Sequence, residues 1–269
     1  NKLVVVGNIL IDGSSCTGEI TIPDGVTTIN LGAFENSGIT KVTCNSELIR
    51  VGESAFLGCS SLQSVILNSG LKNIGSAAFM SCSQLKSINI PESVTTIEGR
   101  AFANCYSLED VTLTNGIKSV GANVFESTQF LSNIVADDGL KIYDYILLDG
   151  TSASGSVNIP ASVKVIADSA FYQQYEESRT KLTEVIVPGS VEEISSRAFS
   201  YCKGLKTVTI KEGVKSIGGF AFSGCSNLET LEIPESVTSI GIDAFKGTKW
   251  LDDQKSTNDQ VVANGILID

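Results

Sequence analysis

Apolar residues recur along the chain with a period of about 23 residues, and phenylalanines mark this period most clearly. Most neighbouring phenylalanines of the series lie 22 or 23 residues apart, with longer intervals only on either side of Phe171. Self-similarity at a fixed period of 20 to 50 residues indicates stacked repeats, so we predict a repeat solenoid. The members of the series are Phe34, Phe56, Phe79, Phe102, Phe125, Phe171, Phe199, Phe222 and Phe245.

One turn of this solenoid can be followed from Leu85 to Cys105. Apolar and polar residues alternate over residues 85–90, which predicts a strand with one buried face. A turn follows, then the shorter apolar pair Val94 and Ile97, and Ala101–Phe102 anchors a compact corner. The predicted fold is therefore a β-dominated solenoid with a parallel sheet on one face and short second strands and short helical corners on the other.

Some turns lack the phenylalanine. A step of 23 residues from Phe125, from Phe245 and backwards from Phe34 reaches aliphatic residues, which we predict to fill the Phe slot of degenerate turns and to bring the total to about twelve turns. These residues are Leu148, Ile268 and Ile11.

A longer unit repeats as well. Residues 4–13, 143–150 and 261–269 resemble one another more than they resemble the ordinary turn. We predict a single solenoid over 1–269, with block one at about 1–131, block two at about 132–251 and the start of a third block at 252–269. Solenoids normally end in atypical capping turns, so we expect the natural protein to be longer.

Most of the seven cysteines follow the repeat. Five lie three residues after a phenylalanine and predict a stacked column of small buried side chains: Cys59, Cys82, Cys105, Cys202 and Cys225. Thr128, Thr151 and Thr248 occupy the same slot of other turns, Cys44 falls in an inward strand slot, and Cys16 lies off every column. No C-x₂-C pair occurs, so we expect free thiols and no metal site.

The composition argues against catalysis. The chain has no histidine, which removes the commonest general base and metal ligand. A paired-carboxylate hydrolase remains compatible with the 30 acidic residues, but acidic side chains such as Glu92 and Glu212 follow strands, where solvated charge is usual. A polysaccharide-cleaving β-helix would need Asp or Arg clustered on consecutive strands, and no such cluster is visible. We expect no enzyme activity and no cofactor.

Charge and hydropathy limit the partners. The net charge of −11 argues against nucleic acid, and no apolar run reaches the roughly 18 residues that span a bilayer. We expect a monomer without membrane insertion in this segment.

The outward column of the longer strands is the predicted binding surface, because it is weakly charged and includes exposed aliphatic residues. A five-residue insertion between Phe171 and Leu182, within residues 172–180, adds a loop of the kind that often contacts ligands. An ordinary solvated sheet and a tolerated surface loop are the alternatives. The candidate binding residues are Thr43, Ile66, Asn89, Thr112, Val135 and Ile186 in the column, with Tyr172 and Tyr175 in the loop.

Residues 205–225, LKTVTIKEGVKSIGGFAFSGC, resemble the BspA-like subclass of leucine-rich repeats, and the resemblance extends over essentially the whole chain. Members of that family are surface or secreted proteins of host-associated bacteria and some parasitic protists, and several are implicated in adhesion. The resemblance implies an extracellular or cell-surface module that recognises a host or neighbouring-cell protein or glycan, with host extracellular matrix among the candidates. The alternative is a structural spacer that displays another domain.

Overall fold

The computed structural model describes residues 2–172, 181–257 and 260–268. The chain divides into two compact units, Asn1–Val135 and Ala136–Asp269. Each unit is a β-solenoid, and together they contain about ten turns of mostly strand with little helix, which confirms the predicted fold class.

The first unit begins with an antiparallel hairpin of two strands, continues with alternating longer and two-residue strands, and ends in a short helix. Its strands are β1 (Val4–Val6), β2 (Ile9–Asp12), β3 (Thr17–Thr21), β4 (Thr28–Ile29), β5 (Gly38–Thr43), β6 (Arg50–Val51), β7 (Ser64–Ile66), β8 (Asn73–Ile74), β9 (Ser87–Asn89), β10 (Thr96–Ile97), β11 (Asp110–Thr112) and β12 (Ser119–Val120), and its helix is α1 (Gln129–Asn133).

The described part of the second unit has the same kinds of element in the same order, with one pair of longer and short strands fewer before its helix and one more hairpin after it. Its elements are β13 (Lys141–Tyr143), β14 (Ile146–Asp149), β15 (Gly155–Asn158), β16 (Val165–Ile166), β17 (Leu182–Val187), β18 (Glu193–Ile194), β19 (Thr207–Ile210), β20 (Ser216–Ile217), β21 (Thr230–Glu232), β22 (Ser239–Ile240), α2 (Lys249–Thr257), β23 (Val262–Ala263) and β24 (Ile266–Leu267).

Parallel pairing stacks the turns within each unit. In the first unit the two-residue strands extend the hairpin into one sheet in the order β1-β2-β4-β6-β8-β10-β12, while β3, β5 and β7 pair on another side and β9 pairs with β11. In the second unit the longer strands pair in the order β15-β17-β19-β21, and the hairpin and short strands form two sheets, β13-β14-β16 and β18-β20-β22. Each turn thus contributes one strand to each side, and the apolar positions of successive turns meet.

The phenylalanine rings form the centre of each core. Adjacent rings in the first unit lie nearly parallel, with centroids 4.9 Å apart for Phe34 and Phe56 and 5.6 Å apart for Phe102 and Phe125. A helix residue closes each stack edge-on: Phe130 of α1 meets Phe125 at 5.0 Å, and Trp250 of α2 meets Phe245 at 5.1 Å. Thr128 and Thr248 cap these helices by accepting hydrogen bonds from the backbone N–H groups of Leu131 and Leu251.

The corners that hold the rings are pairs of turns, and helix is confined to α1 and α2 among the described residues. Among the described residues, those two before and two after the phenylalanines of the series have positive φ, as at Ala77 (51°) and Ser81 (63°) around Phe79. Such residues interrupt a helix. Instead, every second backbone N–H group of the corner donates a hydrogen bond to a carbonyl oxygen of the next turn. Examples are Ser54 N–H to Ser76 O at 2.8 Å and Phe56 N–H to Ala78 O at 2.7 Å. These bonds satisfy the hydrogen-bonding groups of the buried corner backbone.

The hairpins correct the predicted register of the degenerate turns. Leu10 pairs with Ile29, and Leu147 pairs with Ile166, so these leucines occupy the short-strand slot. The backbone N–H of Phe34 donates to Ala55 O in the next turn at 2.7 Å, and the backbone N–H of Gly13 donates to Ala33 O at 2.6 Å in the same way. Gly13 therefore occupies the Phe slot of its turn.

The predicted placement of Ile11, Leu148 and Ile268 in the Phe slot is therefore wrong. Gly13 and Gly150 lie directly against the rings of Phe34 and Phe171, where a Cβ atom would overlap three ring carbons. Each glycine precedes its phenylalanine by 21 residues, so a step of 23 reaches a residue two positions too early. Ile11 is 39 % exposed at the surface of its hairpin, and Ile268 follows β24 in the same place of the third hairpin.

The corrected register also changes the assignment of Cys16, the first cysteine of the chain. Cys16 follows Gly13 by three residues, is completely buried and donates its backbone N–H to Gly13 O at 2.9 Å. It therefore belongs to the cysteine column and does not lie off it. In the second unit the slot is filled by buried Ala153, whereas Thr151 is exposed and donates to the carboxylate of Asp149.

Candidate binding surface

The strand face is the outward side of the longer strands in each unit. In the first unit it contains β3, β5, β7, β9 and β11, and in the second β15, β17, β19 and β21. Thr21, Thr43 and Ile66 are register partners on adjacent strands, and so are Asn89 and Thr112. Because parallel strands lie about 4.8 Å apart, these side chains form regular rows.

The strand face of the second unit is aligned in the same way. Asn158, Ile186, Thr209 and Glu232 follow one another across four paired strands. Ile186 is half-buried, while Ile66 of the first unit is 49 % exposed. The structure thus places five of the six candidate column residues on paired strands, in two groups in the first unit and one in the second.

Val135 does not belong to any of these groups. It lies just after α1, outside any strand, and is 88 % exposed. The threonine cap at Thr128 starts a helix at the place where a further strand would otherwise begin, so the repeat register does not reach Val135.

Of the two candidate tyrosines, only Tyr172 lies among the described residues. Tyr172 is half-buried, and its ring meets that of Tyr201 edge-on, with centroids 6.0 Å apart. Tyr175 and the rest of the insertion, residues 173–180, lie outside the described residues.

Two carboxylates of the strand face have polar partners on neighbouring strands. Lys41 Nζ lies 3.2 Å from Glu19 Oε2 on the neighbouring strand, and Ser156 donates its hydroxyl to Glu184 Oε2 at 2.8 Å. An exposed ion pair such as that of Lys41 and Glu19 stabilises a fold by only about 0–1 kcal/mol, but it leaves the surface around it locally neutral. The face consequently offers hydroxyl, amide and aliphatic groups in rows.

The cysteine column is structural. Cys59 and Cys225 donate their thiols to the carbonyl oxygens of Phe34 and Phe199 in the preceding turns, each at 3.0 Å. Burial raises the pKa of the Cys202 thiol to about 12, and it raises the pKa of Cys59 against the opposing effect of the Ser37 hydroxyl. All seven cysteines are free in the structure, and the thiols whose pKa is raised are protonated and unreactive at neutral pH.

One charged cluster has no signal in the repeat pattern. Asp168 lies three residues before Phe171, on the edge between β16 and the corner, and its carboxylate accepts a hydrogen bond from Ser196 N–H. Burial and the nearby charge of Glu193 raise the pKa of Asp168 to about 6, although Arg197 acts in the opposite direction. Sequence reasoning missed this site because other turns place unrelated residues, such as Gly99 and Ile242, in the same slot.

The raised pKa of Asp168 predicts a loss of stability as pH rises from about 4 to about 6. The unfolded chain releases this proton near pH 3.8, while the folded chain retains it to about pH 6, so the folded state binds more protons in this window. Asp168→Asn should therefore stabilise the fold by on the order of 1 kcal/mol at pH 7.5, after allowance for partial solvent exposure, and change little at pH 3.5.

Urea unfolding at the two pH values measures this effect. Asp243→Asn is the control, because Asp243 is paired with Lys246 at 2.9 Å on the surface of the same unit. An equal change for Asp168→Asn at both pH values would contradict the assignment.

Two further properties concern metals and membranes. Across residues 2–172, 181–257 and 260–268, no group of three His, Cys, Asp or Glu side chains is placed to hold a metal ion. The described helices include none with the length and hydrophobicity that crossing a membrane requires.

Three solved bacterial proteins are similar to the chain. A leucine-rich repeat protein from Bacteroides ovatus has 20% sequence identity, with 87% of this chain and 68% of that one covered and a TM-score of 0.43. The pneumococcal vaccine antigen PcpA has 19% identity, 92% and 76% coverage and a TM-score of 0.41. A leucine rich cell surface protein from Faecalibacterium prausnitzii has 23% identity, 92% coverage of both chains and a TM-score of 0.38. No curated protein matches the chain.

The family model gives the assignment. The model described as BspA type leucine rich repeat region, in six copies, matches residues 6–132, 50–178 and 174–260. These matches extend over nearly the whole sequence and confirm the resemblance drawn from the repeat. The chain therefore belongs to the BspA type leucine-rich repeat family.

Proposed function

We propose that the protein is a cell-surface or secreted binding module that adheres to a protein partner of the host or of a neighbouring cell through its strand face. The observation that carries this proposal is the residue-by-residue alignment of outward Thr, Asn and Ile side chains across the longer strands of each unit. Membership of the family and the cell-surface protein among its structural relatives support the location.

The chemistry of the face suits a protein partner. The outward rows provide hydroxyl and amide groups that can donate and accept hydrogen bonds, while Ile66 and Ile186 provide apolar contacts. Solenoids offer long continuous surfaces of this kind, and broad contacts can add many weak interactions. The paired charges of Lys41 and Glu19 need not be separated when a partner covers them.

Lysine substitutions on the strand face test the proposal. The variant Ile66→Lys, Thr112→Lys and Ile186→Lys should lose binding to an immobilised matrix protein at least tenfold, because each lysine must be desolvated within the contact. Surface plasmon resonance against fibronectin, laminin and mucin measures the loss. Thermal melting should change little, since all three side chains point away from the core.

The same experiment separates an adhesion module from a spacer. A spacer would show equal responses for the wild-type chain and the triple variant. Absence of binding by the wild-type chain to every matrix protein would also contradict the proposal.

A further inference from the structure

The corners of the second unit differ chemically from those of the first. At the position two residues after each phenylalanine, where φ is positive, the first unit has Asn36, Gly58, Ser81, Asn104 and Ser127. Glycine tolerates this backbone region freely, and asparagine tolerates it better than most residues. In the second unit the same position holds Tyr201, at a φ of 60°, followed by Gly224 and Gly247.

A bulky aromatic residue is therefore held in a backbone conformation that disfavours it. The fold does not require this, because glycine fills the slot in several other turns. Tyr201 also remains 45 % exposed, so its ring contributes less to the core than the buried phenylalanines do. Strained residues retained by a fold often serve a role beyond stability.

The surroundings of Tyr201 form a small aromatic platform. Its ring rests on the backbone of Gly224, where a Cβ atom would lie only 2.8 Å from the ring carbon Cδ1. Tyr172 packs against it edge-on, with an interplanar angle of 76°. The glycine floor and the neighbouring ring hold Tyr201 in one orientation while part of its surface faces solvent.

Two hydrogen bonds brace the backbone of this corner. Lys203 donates its backbone N–H to Tyr201 O at 2.7 Å, and Asn227 donates its side-chain amide to Lys203 O at 2.8 Å. Both hydrogen bonds are made within the corner, so the groups of the platform that remain to bind a polar ligand are the hydroxyl groups of the two tyrosines. A fixed ring with one aromatic neighbour is too small for a typical protein interface, which buries about 800 Å² on each partner.

We infer that this corner of the second unit, formed by Tyr172, Tyr201 and Gly224, is a carbohydrate-binding platform for pyranose sugars. A pyranose ring has a face of C–H groups that packs on an aromatic ring, and its hydroxyl groups require hydrogen-bonding partners at the edge. The platform meets both requirements. It lies on the corner and not on the strand face, so it adds a second ligand to the proposed protein partner.

Saturation-transfer NMR on the intact chain with N-acetyllactosamine and methyl β-galactoside tests the inference. The wild-type chain should give saturation transfer to the C–H protons of the sugar at millimolar concentration. Tyr201→Gly should remove the signal or weaken binding at least tenfold, whereas Tyr201→Phe should retain binding within about threefold because the ring remains.

The Tyr201→Gly variant should still fold, because glycine already occupies the equivalent position at Gly58, Gly224 and Gly247. Tyr106→Gly is the control for loss of an exposed tyrosine elsewhere, since Tyr106 is 57 % exposed in the first unit and lies outside the positive-φ slot. Equal binding by wild type and Tyr201→Gly, equal loss in Tyr106→Gly, or no sugar signal from the wild type would overturn the inference. The strand-face variants should bind the sugars normally, so the two proposals fail independently.

Discussion

Phe102→Ala is expected to lower the free energy of unfolding by about 3–5 kcal/mol. The Phe102 ring is completely buried between Phe79 and Phe125, with centroid distances of 5.3 and 5.6 Å. Truncation removes both ring contacts and leaves a cavity that the rigid hydrogen-bonded corners cannot close. The loss is large compared with the total stability of about 5–15 kcal/mol that natural domains have.

Urea denaturation followed by circular dichroism measures this loss. Phe102→Leu should cost less, because leucine fills part of the cavity, and Tyr106→Ala should cost little, because its side chain is exposed. If Phe102→Ala left the unfolding midpoint unchanged, the stacked core described here would be incorrect.

A pair of substitutions in the first hairpin should have the next largest effect and should distinguish the two possible registers. Gly13→Ala places a methyl group into the ring of Phe34 and should cost about 1–3 kcal/mol through overpacking. Ile11→Ala should cost less than about 1 kcal/mol, because Ile11 is 39 % exposed.

The opposite result would restore the register expected from the 23-residue step. An isoleucine that filled the Phe slot would cost about 2–5 kcal/mol when truncated to alanine, and Gly13 would then tolerate alanine. Thermal melting of the two single variants beside the wild-type chain is sufficient to decide. Gly150→Ala, which would meet the ring of Phe171, repeats the test in the second unit.

The repeat itself could be predicted from the sequence because each buried slot makes the same demand on every turn. Phe56, Phe79 and Phe102 occupy equivalent positions, and outside the hairpin turns of Gly13 and Gly150 the described slots hold a phenylalanine. The outward row was predictable for the same reason, since alternation along a strand determines which side chains leave the core. Five of the six predicted row residues consequently lie on the paired strands.

The errors arose where the repeat changes its geometry. In the first hairpin turn the Phe slot holds Gly13, which lies against the ring of Phe34. A glycine has no hydrophobic side chain, so the hydrophobic pattern does not mark this position. Helix α1 begins at the Thr128 cap and shifts the register, which removes Val135 from the row. The contacts of Asp168 and Tyr201 depend on residues of the next turn, such as Ser196 and Gly224, and alignment of the turns alone does not show which contacts form.

The central claim is that adhesion uses the strand face, and a comparison of Ile66→Lys with Ile49→Lys tests it most directly. Both isoleucines belong to the first unit and have nearly equal exposure, 49 % and 51 %, but Ile66 lies on the strand face and Ile49 lies beside the two-residue strand β6. The measurement is the equilibrium dissociation constant of each variant for the matrix protein that the wild type binds. We predict at least a tenfold weakening for Ile66→Lys and a change below twofold for Ile49→Lys. Equal affinities for the two variants, or the greater loss in Ile49→Lys, would contradict the claim.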